Sequence, residues 1–153
     1  MRRESGFTLV ELLAVIAIVG ILAATAVPLY RTMQQRTYGR EATVMMKQLL
    51  DAQVIYFLEK NKFYPEDETP IDIWSTDSPS KAEIQQVKDA LNVVIPVGHK
   101  LDYSFYAENL PGNESFHVTI SSIGMNFPLF KDGSPSITGS VDRTGKFTFV
   151  IPY

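Results

Sequence analysis

Cysteine is absent from the 153 residues, so no disulfide, thiolate nucleophile or cysteine-based metal site exists in this chain. Nor is there a surplus of positive charge. Fourteen Lys and Arg stand against seventeen Asp and Glu, a formal net charge of −3. That balance gives no reason to expect a nucleic-acid partner. Catalytic signatures are missing as well: there is no phosphate-cradling glycine loop, HExxH helix or nucleophile elbow. The two histidines, His99 and His117, are far apart in sequence, and both read as ordinary surface side chains. The expectation is a protein that is not an enzyme and that needs no cofactor or metal.

What the sequence does have is unevenly spread. Hydrophobic residues make up 45% and charged residues 20%, a globular profile at a length suited to one modest domain. From Phe7 to Val27, however, Glu11 is the one ionisable side chain, and most of the rest are Leu, Ile, Val or Ala. About 20 helical residues at 1.5 Å each span a hydrocarbon layer of roughly 30 Å. Three readings of this segment compete. A secretory signal peptide is supported by Arg2 and Arg3 and by the small residues Ala24-Thr25-Ala26. Against it stand the length of the run and Glu11 inside it. A permanent anchor does not explain Glu11 either, unless the carboxylate is protonated or reaches the headgroups. The third reading is a segment that leaves the membrane for a protein assembly, where an intramembrane carboxylate has a function.

The residues at this end resemble the type IV prepilin signature. Arg2-Arg3-Glu4-Ser5-Gly6 is followed by Phe7-Thr8-Leu9-Val10-Glu11-Leu12-Leu13, and the likeness runs on through Ala17–Ala24 to Ala26-Val27-Pro28-Leu29-Tyr30. Roughly the first 30 residues carry it. The resemblance implies a leader of residues 1–6, removed between Gly6 and Phe7 by a prepilin peptidase that also N-methylates Phe7. A side-chain-free Gly6 lets the strand lie flat in that enzyme, although a plain helix-start glycine is the structural alternative. Residues 7–28 then form the transmembrane and polymerisation helix, and residues 29–153 a soluble pilin head. Glu11 is expected to meet the new amine on Phe7 of a neighbouring subunit, setting the axial register of a filament. The resemblance also implies an inner-membrane precursor, an inner-membrane assembly platform, and a homo-oligomeric filament, with or without other pilins. The filament is either an extracellular pilus serving adhesion, motility or DNA uptake, or the periplasmic pseudopilus of a type II secretion system. Orientation comes from the resemblance alone, because Arg31, Arg36 and Arg40 after the span offset Arg2 and Arg3 before it.

Within the apolar run, Ala17, Gly20 and Ala24 recur at helical spacings of three and four, a small-residue strip of the kind that lets helices approach closely. Pro28 removes an amide and predicts a kink. Beyond it the helix is expected to reach about Lys60, with Ala42, Met45, Met46, Leu49, Ala52 and Tyr56 as its buried stripe. Gly39 reads as a soft spot, Asn61 as the C-cap, and Pro65 as a stop. The run Tyr56–Pro65 also resembles the end of the long pilin helix.

The remainder reads as an α+β head with a small antiparallel sheet. Residues 66–80 look like a solvated loop that includes Glu66-Asp67-Glu68. A short helix follows, started by Ser78-Pro79 or by Ser80 with Glu83, with Ile84, Val87 and Leu91 inward and Pro96 and Gly98 closing the region. Four strands are expected: Leu101–Ala107, Ser115–Ser122, Ile137–Val141 and Lys146–Ile151. Their turns fall at Pro111-Gly112-Asn113 and Asp142-Arg143-Thr144-Gly145. Many pilins close a C-terminal loop with a disulfide. Here β pairing or a metal is needed instead, and Asp132 and Asp142 are weighed as calcium ligands against plain turn formers. Asn113-Glu114-Ser115 fits a glycosylation sequon. Tyr30, Tyr38, Tyr56, Phe57, Phe63 and Tyr64 read as packing aromatics rather than a conduction path.

Overall fold

The computed structural model describes residues 6–76 and 81–149. The leader residues Arg2 to Ser5, the helix start at Ser78, Pro79 and Ser80, and the strand end at Val150 and Ile151 lie outside them. The chain divides into two compact units, Met1–Gln34 and Gln35–Tyr153. Helix α1 (Leu9–Lys60) is continuous through Pro28 and contributes residues to both. Around the proline, Thr25 Oγ1 donates to the Leu22 carbonyl at 2.9 Å and Thr32 Oγ1 to the Pro28 carbonyl at 3.0 Å. Hydroxyls bonded back onto helical carbonyls are a usual companion of such interruptions.

In the second unit α1 buries Gly39, Ala42, Met45, Met46, Leu49, Leu50 and Gln53. The three-and-four rhythm predicts most of this stripe; Leu50 and Gln53 widen it. Asn61 takes a left-handed backbone (φ 55°) and its amide donates to the Phe57 carbonyl at 2.8 Å, ending the helix as expected. Helix α2 (Lys81–Leu91) buries Ile84, Val87 and Leu91. It stops at a left-handed Asn92.

The sheet is an antiparallel meander of five strands in sequence order: β1 (Ile71–Ile73), β2 (Asp102–Glu108), β3 (Ser115–Ser121), β4 (Ser136–Asp142) and β5 (Phe147–Phe149). Four strands are predicted from sequence, and β1 corrects that number. It lies in the stretch read as loop, pairs Ile71 with Phe105 and Ile73 with Tyr103, and buries both isoleucines. Three residues are too few for alternation to register in sequence; the edge of β2 supplies the pairing. Strands β2, β3 and β4 alternate as predicted, with Tyr103, Phe105, Ala107, Phe116, Val118, Ile120, Ile137 and Val141 buried, whereas β5 is exposed at all three positions.

Helix and sheet meet closely. A Cβ on Gly139 would stand 2.6 Å from Met46 Sδ and 3.3 Å from Leu50 Cδ1. Gly39 is likewise a packing residue and not a soft spot: a Cβ there would lie 2.5 Å from the Leu129 carbonyl oxygen. Gly39→Ala gains up to about 1 kcal/mol of helix propensity but forces a backbone carbonyl aside, for which overpacking costs of about 1–3 kcal/mol apply. A net fall in melting temperature is the expected result, read by thermal unfolding monitored by circular dichroism.

Loop closure is achieved without a covalent bond. Between β3 and β4, the Ser122 amide donates to the Pro135 carbonyl and the Leu129 amide to the Ser134 carbonyl, both at 2.9 Å. Ser122 Oγ donates to the Phe127 carbonyl, and Gln35 Nε2 to the Phe130 carbonyl at 2.7 Å. Asp132 and Asp142 serve turns: each accepts from the amide and hydroxyl two residues on, Ser134 and Thr144 respectively. These bonds hold both carboxyls below the usual carboxylate range.

One further expectation needs correction. His99 is buried, not exposed: its Nδ1 sits 2.5 Å from the Leu101 carbonyl and its ring packs edge-on against Tyr103. The Glu66-Asp67-Glu68 run is exposed but tethered, Glu66 accepting from Tyr56 Oη at 2.7 Å and Glu68 from the Asn109 amide at 2.8 Å. Burial, then the Glu66 bond, pushes the Tyr56 hydroxyl up to about 12. An unfolded tyrosine ionises near 10, so between pH 10 and 12 the unfolded chain has released a proton the folded one keeps, and stability falls with rising pH. Tyr56→Phe is expected to flatten that alkaline decline in denaturant melts taken across the window.

Gln53 anchors the chain beyond α1. Its buried amide donates to the Tyr64 carbonyl at 2.6 Å and accepts from the Tyr64 amide at 2.9 Å. Gln53→Leu strands both backbone groups, at about 1–3 kcal/mol for each buried orphan. A stability loss of about 3 kcal/mol in urea titrations is expected. Phe57 stacks on Phe63 and Tyr56 meets Tyr64 edge-on, so these aromatics pack against one another where helix and loop join.

Candidate functional site

Every described residue from Gly6 to Met33 is exposed. Leu9 is 75% and Ile21 70% accessible, so this apolar surface has no partner within the chain. Among the described residues, α1 is the one helix long and apolar enough to cross a membrane. Such a surface is stable only against lipid or other protein.

Gly6, Phe7 and Thr8 precede the first helical turn, and Glu11 lies inside it. The initial amides of a helix have no partners within it. Here Thr8 and Glu11 supply them reciprocally. Glu11 Oε2 accepts from the Thr8 amide at 2.9 Å and from Thr8 Oγ1 at 2.7 Å, while the Glu11 amide donates to Thr8 Oγ1 at 3.3 Å. This is a capping box, threonine at the N-cap and glutamate three residues on. It turns the carboxylate back toward Phe7, at the positive end of the helix dipole.

Sequence reading singled out Glu11 for its charge and missed Thr8, although Thr8-x-x-Glu11 ahead of an apolar run is a legible signal. The structure therefore brings Gly6, Phe7 and Glu11 together at one helix end, with Thr8 as the link. Ala17, Gly20, Ala24 and Pro28 lie roughly two to five turns further along α1. The three small residues share one exposed face, and nothing stands within 4 Å of a Cβ built on Gly20. Such a bare strip admits close approach by another helix.

Among the described residues no cluster of three or more His, Asp or Glu side chains is arranged to hold a metal. Asn113 is exposed at the β2–β3 turn, and the neighbouring Glu114 lies 3.7 Å from Arg143.

Comparison with known proteins bears on this same end. A family model described as the prokaryotic N-terminal methylation motif matches residues 1–27. The chain is 46% identical over 61 residues to the type IV major pilin protein PilA of Myxococcus xanthus (strain DK1622), covering 40% of this chain and 28% of that one. It is 37% identical over 92 residues to the type IV major pilin protein PilE1 of Neisseria gonorrhoeae, covering 60% and 55%. A fimbrial protein of Pseudomonas aeruginosa is 39% identical over 82 residues, covering 51% and 53%. The match thus spans about half or less of the length of these relatives. No solved structure matches the chain. The chain thus carries a prokaryotic N-terminal methylation motif, is similar to type IV pilins over 61 to 92 residues, and has an α+β fold of long helix and antiparallel sheet.

Proposed function

We propose that this chain is a structural, non-catalytic subunit of a type IV pilus filament. Residues 1–6 are the leader, cut between Gly6 and Phe7 by a prepilin peptidase that methylates Phe7. Residues 7–28 hold the precursor in the inner membrane and then polymerise, and residues 29–153 form the soluble head of the extracellular fibre. The carrying observation is Glu11, a carboxylate in an otherwise apolar, unpartnered helix, turned by Thr8 toward the residue that becomes the N-terminus. Cleavage places a positive amine on Phe7. In the water-poor centre of a filament the two opposite charges attract strongly, while each carries a desolvation cost. The net gain is therefore smaller than the specificity: one axial offset pairs every amine with a neighbour's carboxylate. Ala17, Gly20 and Ala24 let the helices close around that register, and Pro28 is a point where α1 yields.

Similarity to major pilins and a fimbrial protein favours a pilus over a secretion pseudopilus. The test has two parts. Intact mass and fragmentation of the cellular protein are expected to show a chain starting at N-methylated Phe7; an intact Met1, or a start beyond Ala26, overturns the reading. Electron microscopy of material sheared from cells is expected to show long fibres that an antibody to this chain decorates. Loss of protein secretion on deletion, without such fibres, favours the pseudopilus.

A further inference from the structure

We propose, resting on the filament reading above, that the face of α1 turned away from the sheet is a charge-polarised contact stripe, in which the basic half of one copy docks on the acidic half of another. The stripe runs Arg36, Arg40, Val44, Lys47, Asp51, Ile55 and Glu59, at helical spacings of three and four. At 100° per residue its mean direction lies about half a turn from that of Ala42, Met45, Met46, Leu49, Leu50 and Gln53, which pack on the sheet. All seven side chains are exposed, Val44 at 55% and Ile55 at 59%.

The order of charges is what selects the partner. Three cations come first and two carboxylates follow, each half carrying one exposed aliphatic side chain between two charges: Arg40, Val44, Lys47, then Asp51, Ile55, Glu59. Within the chain these charges are left over, since among the described residues the only side-chain ion pair is Arg143 with Glu114. A second copy is the occupant that matches by construction. Shifted along the helix axis by 11 residues, about 16 Å, its Val44 comes level with Ile55, Arg40 with Asp51, and Lys47 near Glu59. Such a contact joins two different patches, and heterologous contacts of that type propagate into open helical polymers rather than closed dimers. Facing like halves without the shift would oppose cation to cation. The polarity thus disfavours unshifted neighbours and adds a second register to the one set at the N-terminus.

The chain has no native cysteine, which makes a clean cross-linking test available. In a Val44→Cys, Ile55→Cys chain the two thiols lie about 16 Å apart on one helix, too far to join within a copy. Oxidised filaments of this variant are expected to run as a ladder of multimers on a non-reducing gel, whereas either single cysteine yields dimers at most. The second arm reverses charge. Arg40→Glu with Lys47→Glu, or Asp51→Lys with Glu59→Lys, is expected to lower sheared filament at least about tenfold, and the chain carrying all four substitutions to recover most of it. Reversal variants that assemble like wild type overturn the proposal. So do intact double-cysteine filaments without a ladder, or a four-fold variant that assembles no better than the two-fold ones. The underlying reading fails separately, when the unmodified chain makes no filaments and does not begin at Phe7.

Discussion

A Glu11→Ala chain is expected to be cleaved and methylated normally yet to leave almost no filament, a loss of at least about a hundredfold, because under the proposed pairing it strands a neighbour's amine where water cannot reach it. Wild-type filament levels from this variant would remove the proposed pairing. The alanine also breaks the capping box, so the result alone does not separate the two roles of Glu11. Two companions do. Glu11→Gln keeps an oxygen for the Thr8 amide and hydroxyl, since glutamine serves at this position of a capping box, but it carries no charge. Thr8→Val keeps the charge and loses the hydroxyl contacts at 2.7 and 3.3 Å. If the ion pair governs assembly, Glu11→Gln is as defective as alanine and Thr8→Val is milder. If helix initiation governs it, the order inverts. Quantitative blots of sheared fibres against total processed protein give the ranking.

Phe105→Ala should destabilise the second unit by about 3–5 kcal/mol, the range for emptying a buried aromatic site. The ring is fully buried, pairs across strands with Ile71 and Val118, and stands 5.8 Å from Phe116. Neighbours on two sides are strand residues fixed by ladder hydrogen bonds, so the cavity has little freedom to collapse. Against a total of about 5–15 kcal/mol for an ordinary domain, that loss is a large fraction of the whole. Urea titration of the detergent-solubilised chain measures the shift in midpoint. A loss under about 1 kcal/mol would mean that the β1–β2–β3 core repacks far more freely than native interiors do.

Long-range patterns were legible in the sequence and short or non-local ones were not. The buried stripe of α1 and the alternation of β2, β3 and β4 extend over enough residues for periodicity to speak, and the structure follows them. Strand β1 does not, because Ile71-Asp72-Ile73 offers two apolar positions in a Pro- and Asp-rich stretch. Asp102 is the sharper case. Alternation assigns it to the polar face, yet it is buried, accepting from the Ser75 amide and hydroxyl at 2.7 Å each and from the Gly124 amide at 2.8 Å. Those donors come from loops distant in sequence, and no local rule finds them. Gly39 fails in the same way: helix propensity is a property of the residue, but the carbonyl that excludes a side chain belongs to Leu129. At the candidate site the position of Glu11 was plain from its isolation among apolar residues. Isolation among apolar residues marks Glu11 by its charge, whereas the role of Thr8 rests on that carboxylate acting as a hydrogen-bond acceptor.

The loop between β3 and β4 is fastened by Ser122, Ser134, Gln35 and strand pairing rather than by a sulfur bridge. Its closure is therefore indifferent to thiol–disulfide poise. The head reaches its final topology without an oxidase, and no reductant, inside a cell or out, can unfasten it.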